Sequence, residues 1–252
     1  MRSGGHRRFT ILPRQGEVAP KVTEGEDTEQ RFHLTSPSVW QAPAPPLAGE
    51  DPFIVQYAKG NPMALPTLLA ISGSLRRGSY NTAILTTLGE AITDKATLEI
   101  FPLNDVPLYD QDADTDTPPE AVAALRAAIG AADGIVIASP EYNHGMSGVL
   151  KNALDWASRP HGKATLTGKP VFTLTSSPGA VGGARAHAQL NETLASIGAR
   201  TVLRPQAVVG AVHEKIADGR LTDQRTLDFL KGGIDDLLAD IARPTAADRE
   251  AS

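Results

Sequence analysis

Cysteine is absent from this 252-residue chain, which excludes a disulfide-stapled scaffold, thiolate metal sites and a cysteine nucleophile together. No apolar run approaches the ~20 residues needed to cross a bilayer. The basic start Met1-Arg2-Ser3-Gly4-Gly5-His6-Arg7-Arg8 is not followed by the apolar stretch of a secretory signal. The chain therefore reads as soluble and cytoplasmic, with no membrane partner. A basic excess is also missing: the formal net charge is -5 and the pI about 5.7, so no nucleic-acid partner is expected. The six histidines, at 6, 33, 144, 161, 187 and 213, never pair three or four residues apart, and no metal site is expected. What is present is an ordinary globular composition, 41% hydrophobic and 21% charged. That supports a buried core, in a length suited to one domain with an appendage.

The appendage comes first. Residues 1–66 hold nine of the 19 prolines, with neither helical nor strand periodicity and seven basic residues against seven acidic ones. Such a segment buries too little apolar area to offset its ordering entropy, and residues 1–64 are expected as an irregular N-terminal arm. Two other readings stay open. Val39-Trp40 and Phe53-Ile54-Val55-Gln56-Tyr57 can dock on a partner subunit, or Met63 is the biological start.

From Leu65 the pattern becomes regular. Thr67-Leu68-Leu69-Ala70-Ile71-Ser72, Leu98-Glu99-Ile100-Phe101, Ile135-Val136-Ile137-Ala138 and Val171-Phe172-Thr173-Leu174 read as strands. Val202-Leu203 and Ala207-Val208-Val209 read as a fifth, broken near Pro205. Between and after them, stripes at helical spacing predict five helices, such as Ile84, Leu88, Ala91, Ile92 and Leu227, Leu230, Ile234, Leu237, Ile241. Asp218-Gly219 reads as a turn. Strict alternation predicts an α/β fold with a doubly wound five-stranded parallel sheet and helices on both faces, over residues 65–242. A loose tail is expected over 243–252.

In such sheets ligands bind beyond the carboxyl ends of the strands. After the first strand comes Ser72-Gly73-Ser74-Leu75-Arg76-Arg77-Gly78-Ser79-Tyr80-Asn81-Thr82. Its glycines permit tight turns and close approach, and its hydroxyls, amide and guanidinium groups surround a helix start, which attracts anions. Gly73 and Gly78 have the spacing of a triphosphate loop, but Ser79 stands where that loop needs Lys, so a monophosphate fits better. Ser139-Pro140-Glu141-Tyr142-Asn143-His144 follows the third strand, with Pro140 expected to break it. Ser176-Ser177-Pro178-Gly179-Ala180-Val181-Gly182-Gly183 follows the fourth, with glycines expected to expose backbone N–H groups. These do not form the dinucleotide fingerprint. Gly145-Met146-Ser147-Gly148 misses the nucleophile elbow because Val149 occupies the last position. His144 reads as polar lining, Glu141 and Asp155 as hydrogen-bonding carboxylates, and Trp156 as core or subunit contact. Arg185 either binds a nucleotide phosphate or pairs with acidic neighbours.

Gly73-Ser74-Leu75-Arg76-Arg77-Gly78-Ser79-Tyr80-Asn81, Pro140-Glu141-Tyr142-Asn143 and Leu150-Lys151-Asn152-Ala153-Leu154-Asp155-Trp156 together resemble the NAD(P)H-dependent FMN reductase family. That family includes bacterial quinone and chromate reductases and azobenzene reductases. The resemblance covers roughly residues 65–242 and implies a flavodoxin-like sheet of order 2-1-3-4-5, bound FMN, and NADPH or NADH as co-substrate. By it, Ser74, Arg76, Ser79 and Asn81 hold the FMN phosphate with Thr82 beside them. Pro140, Glu141, Tyr142 and Asn143 line the ribityl–isoalloxazine side, and Ser176, Ser177 and Gly179 face the ring edge. It also implies a homodimer or homotetramer, ping-pong transfer to quinones, free flavins or similar acceptors, and no catalytic side chain. The arm departs from the compact members. Two other functions share the fold and cofactor: an electron carrier, or a flavin-responsive regulator.

Overall fold

Leu68 and Ala70 point to one side of the first strand, Leu69 and Ile71 to the other, and all four are buried. That two-sided burial explains the continuous apolar run, and it recurs wherever a strand lies in the middle of the sheet. The computed structural model describes residues 64–243, so all of the arm except Ala64, and the tail after Arg243, lie outside the described residues. In chain order the elements are β1 (Thr67–Ser72), α1 (Tyr80–Ala91), β2 (Thr97–Phe101), α2 (Glu120–Ala131), β3 (Gly134–Tyr142), β4 (Gly145–Met146) and α3 (Gly148–Ala157). They continue with β5 (Pro170–Ser176), α4 (Ala184–Ile197), β6 (Arg200–Thr201), β7 (Ala207–Val209), β8 (Ile216–Ala217), β9 (Arg220–Leu221) and α5 (Gln224–Ile241).

The sheet runs β2-β1-β3-β5-β6, with β7 also on β5, and all of these ladders are parallel. Counting β6 and β7 as one interrupted strand, this is the expected doubly wound order 2-1-3-4-5. Two short antiparallel pairs, β3 with β4 and β8 with β9, add to it. The turn of the second pair is Asp218-Gly219, both left-handed at φ 48° and 69°. One core layer joins the sheet to α2, α3 and α4, the other to α1 and α5.

Two details differ from expectation. Pro140 does not end its strand, since β3 continues to Tyr142 and Pro140 pairs with Ser176 of β5. The Gly73 N–H donates to Ala138 O at 2.8 Å, so alternate residues of β3 turn their backbone to β1. At Pro140, β1 has already ended, and the missing N–H costs the sheet no bond. The fifth strand also breaks earlier than predicted. Arg200 and Thr201 pair with β5, while Leu203 is fully exposed. The cause is Arg204: its guanidinium carbon lies 5.3 Å from the Phe172 ring centroid and 4.8 Å from that of Phe229, and it donates to Asp236 and to Phe229 O. This anchorage pulls the chain off the edge between β6 and β7.

α4 is fastened to β5 by a polar triad of buried Thr173 and His187 with half-buried Asn191. Thr173 Oγ1 donates to Asn191 Oδ1 (3.1 Å), Asn191 Nδ2 contacts His187 Nδ1 (3.0 Å), and His187 Nε2 contacts Thr173 Oγ1 (3.2 Å). With the threonine proton on Asn191, the ring must donate from Nε2 and accept at Nδ1, which is the neutral tautomer. Burial holds His187 below its usual value of 6.5, partly opposed by its contact with Thr173. The unfolded chain therefore binds a proton that the fold does not, and this contribution to stability is full above about pH 6.5 and declines as the pH falls. Urea midpoints at pH 7.5 and 5.5 should drop for the native protein, and the drop should be smaller in His187→Asn; equal drops would remove His187 as the cause.

Candidate functional site

At the carboxyl end of the sheet the loops after β1, β3 and β5 enclose a cleft of about 340 Å³. The first of them is held low by Gly73. A Cβ there would stand 2.9 Å from Ser147 Oγ and 3.2 Å from both Leu150 Cβ and Pro140 Cδ. The exit of β1 therefore passes against the start of α3 at a distance that only glycine allows. Gly78 has no such role, since its nearest neighbour would be Arg76 Nη1 at 3.6 Å.

Ser79 is the N-cap of α1: its Oγ accepts from the Thr82 N–H and the residue is 4% exposed. Tyr80 and Asn81, in the first turn, have N–H groups with no partner inside the helix. Asn81 is 3% exposed, its Oδ1 accepts from Ser176 Oγ at 3.0 Å, and its Nδ2 makes no hydrogen bond among the described residues. That bond ties the β1 loop to the end of β5 and leaves an amide donor on the cleft wall. Arg76 also lines the cleft, with its guanidinium carbon 4.9 Å from the Tyr80 ring centroid and no carboxylate partner among the described residues. A guanidinium, an unpaired amide, two serine hydroxyls and a helix N-terminus together suit a dianionic phosphate.

The other wall comes from β3. Glu141 turns its carboxylate to α4, where Oε2 accepts from the N–H groups of Arg185 and Ala186, both at 3.0 Å. The residue at the head of that helix, Gly183, has no side chain to cap it, so Glu141 supplies the cap from a neighbouring strand. Arg185 Nη1 lies 4.0 Å from Glu141 Oε1 and is mostly exposed, so the pairing with an acidic neighbour is a loose one. Tyr142 is 54% exposed at the mouth. Asn143 and His144, at φ 50° and 68°, form the two-residue turn from β3 to β4.

Of the residues singled out in the sequence, Ser74, Arg76, Asn81, Pro140, Glu141 and Tyr142 line the cleft, as do Ser176 and Ser177. Ser79 acts beneath it as the cap. Thr82 turns away: its Oγ1 bonds Ser72 Oγ at 2.9 Å and it borders a groove on the other side of α1. Asn143 lies in the turn beyond the lining. Gly179 donates its N–H to Ser177 Oγ, and Gly182 donates to Gly179 O, so these glycine N–H groups serve the loop rather than the cleft. Two further lining residues are Tyr80, an aromatic at the first helical position beside Arg76, and Pro178. Trp156 is fully buried and Asp155 pairs with Lys151, so neither belongs to the site. Among the described residues no cluster of metal-ligating side chains occurs. Replacing Glu141 by Ala leaves the α4 head without its acceptor and should cost about 1–2 kcal/mol of stability. Glu141→Gln should cost less than half as much by urea titration, and an unchanged Glu141→Ala midpoint would deny the cap.

The comparisons with known proteins agree with this geometry. The sequence pattern of the family described as NADPH-dependent FMN reductase matches residues 66–214. An NAD(P)H-dependent FMN reductase of Pseudomonas aeruginosa is 38% identical over 165 residues, covering 65% of this chain and 89% of its own. A quinone reductase of Escherichia coli is 39% identical over 169 residues, with 66% and 89% covered. Among solved structures, the NAD(P)H:(acceptor) oxidoreductase FerB of Paracoccus denitrificans superposes with a TM-score of 0.64 at 32% identity, over 70% of this chain and 97% of that one. No helix among the described residues is long and apolar enough to cross a membrane. The cleft therefore belongs to an oxidoreductase, and the chain is a member of the NADPH-dependent FMN reductase family.

Proposed function

We propose that the protein oxidises NADPH or NADH with FMN held in this cleft, and delivers the electrons to a quinone, a free flavin or a similar small planar acceptor. The observation that carries this reading is Arg76: a guanidinium on the cleft wall, at the head of α1, with no carboxylate partner among the described residues. Ser74, the Nδ2 of Asn81 and the free N–H groups at the head of α1, which Ser79 caps, would complete a phosphate cradle around it. Pro140, Tyr142, Ser176 and Ser177 would flank the ribityl chain and the ring.

When bound, FMN supplies the redox chemistry, taking a hydride from the nicotinamide and passing two electrons on. The chain's own residues bind, orient and exclude water; none is asked to be a nucleophile or a general base. The half-exposed Tyr142 offers a stacking wall at the mouth, where donor and acceptor would bind in turn, so turnover would be ping-pong. The names of the relatives, quinone reductase and FMN reductase, support both acceptor classes. As the resemblance implies, the working form would be a homodimer or homotetramer.

Two measurements test this. Under anaerobic conditions the yellow protein should bleach on adding NADPH or NADH with no second protein present; colour that persists with both donors would overturn the reading. Arg76→Ala should weaken FMN binding by about 1.5–3 kcal/mol, the size of a charged hydrogen bond, and leave riboflavin binding unchanged. An equal loss for both ligands would mean that Arg76 does not meet the phosphate.

A further inference from the structure

We infer that Tyr80 is a positioning residue for the anion site: its ring holds the Arg76 guanidinium on the cleft wall and leaves its charge undiminished. This rests on the reading that Arg76 meets the FMN phosphate. Arg76 is an exposed residue in the loop after β1, where a long side chain ordinarily keeps much of its rotamer freedom. Here its guanidinium carbon lies over the Tyr80 ring, 4.9 Å from the centroid, within the distance of about 6 Å at which a cation is drawn to an aromatic face. Its Nη1 also lies 3.6 Å from the point where a Cβ on Gly78 would stand. The guanidinium is thus folded back toward its own loop, near Gly78 and against the ring.

The ring is a firm support. Tyr80 opens α1 directly after its cap Ser79, is half-buried, and packs against the core layer that holds Leu68, Ile84 and Leu88. Both Tyr80 and Arg76 line the cleft. Arg126 and Arg204 lie near aromatic rings too, at Trp156 and at Phe172, but each is also paired with a carboxylate, Asp114 and Asp236. Among the described residues Arg76 has the ring and no carboxylate. The difference matters for an anion site. A carboxylate beside Arg76 would fix it but would also offset its charge and repel an incoming phosphate. An aromatic face attracts the cation through its quadrupole and carries no net charge. Held in advance, Arg76 loses less rotamer freedom when the anion arrives. The Tyr80 hydroxyl makes no hydrogen bond among the described residues, so the ring face alone carries the role.

Dissociation constants of the full chain for FMN and for riboflavin, which differ by the phosphate alone, read this role as a ratio. Tyr80→Leu should lower the preference for FMN at least about threefold, the scale of a cation–π contact. Tyr80→Phe keeps the ring and should retain the preference. In an Arg76→Ala background, Tyr80→Leu should change the preference no further. A preference that survives Tyr80→Leu overturns the inference, and a weakening of both ligands alike is that same outcome. An equal fall in Tyr80→Phe, or in the Arg76→Ala background, overturns it as well. If Tyr80→Leu does not fold, Tyr80→Met is read by the same ratio. Failure of the underlying reading looks different: the unmodified chain would show no preference for FMN over riboflavin, which overturns that reading and this inference with it.

Discussion

The close passage of Gly73 over the start of α3 is the constraint on which the cleft depends. β1 leaves the sheet there, and a side chain at this position would collide with Ser147, Leu150 and Pro140 at once. Because it is glycine, the chain can pass close against Pro140 and the start of α3 before it enters α1, where Asn81 comes within 3.0 Å of Ser176. Three loops far apart in sequence then face one space.

Polar groups in and around that space are either used or available, and the division is informative. Glu141 is committed to α4, Ser79 Oγ to α1, and the N–H groups of Gly179 and Gly182 to their own loop. Among the described residues, Arg76 and the Asn81 amide remain on the wall without an anionic or carbonyl partner. Unpaired donors on a nearly buried asparagine are costly unless something accepts from them, and a bound phosphate would. The same economy appears beneath α4, where Thr173, His187 and Asn191 satisfy one another only while the imidazole is neutral.

Much of the fold was legible because its signals are local. Leu68 to Ile71, Ile135 to Ala138 and Val171 to Leu174 are apolar without alternation, and the five helical stripes recur between and after them. What was misread depended on neighbours. Pro140 is a strand breaker by its own chemistry, yet it is harmless where β1 has ended. Leu203 looks like a buried strand residue, but Arg204 is drawn between Phe172 and Phe229 and carries it outside.

The sequence by itself determined the alternation of strands and helices, the absence of thiol chemistry, and the three loops rich in donors and glycine. Each of these is a property of residue type at short spacing. Only the tertiary structure decided which donors are spent and which are free. It paired Glu141 with the head of α4, 44 residues on at Arg185, and Asn81 with Ser176, 95 residues on. Such pairings follow from strand order and register rather than from any local pattern.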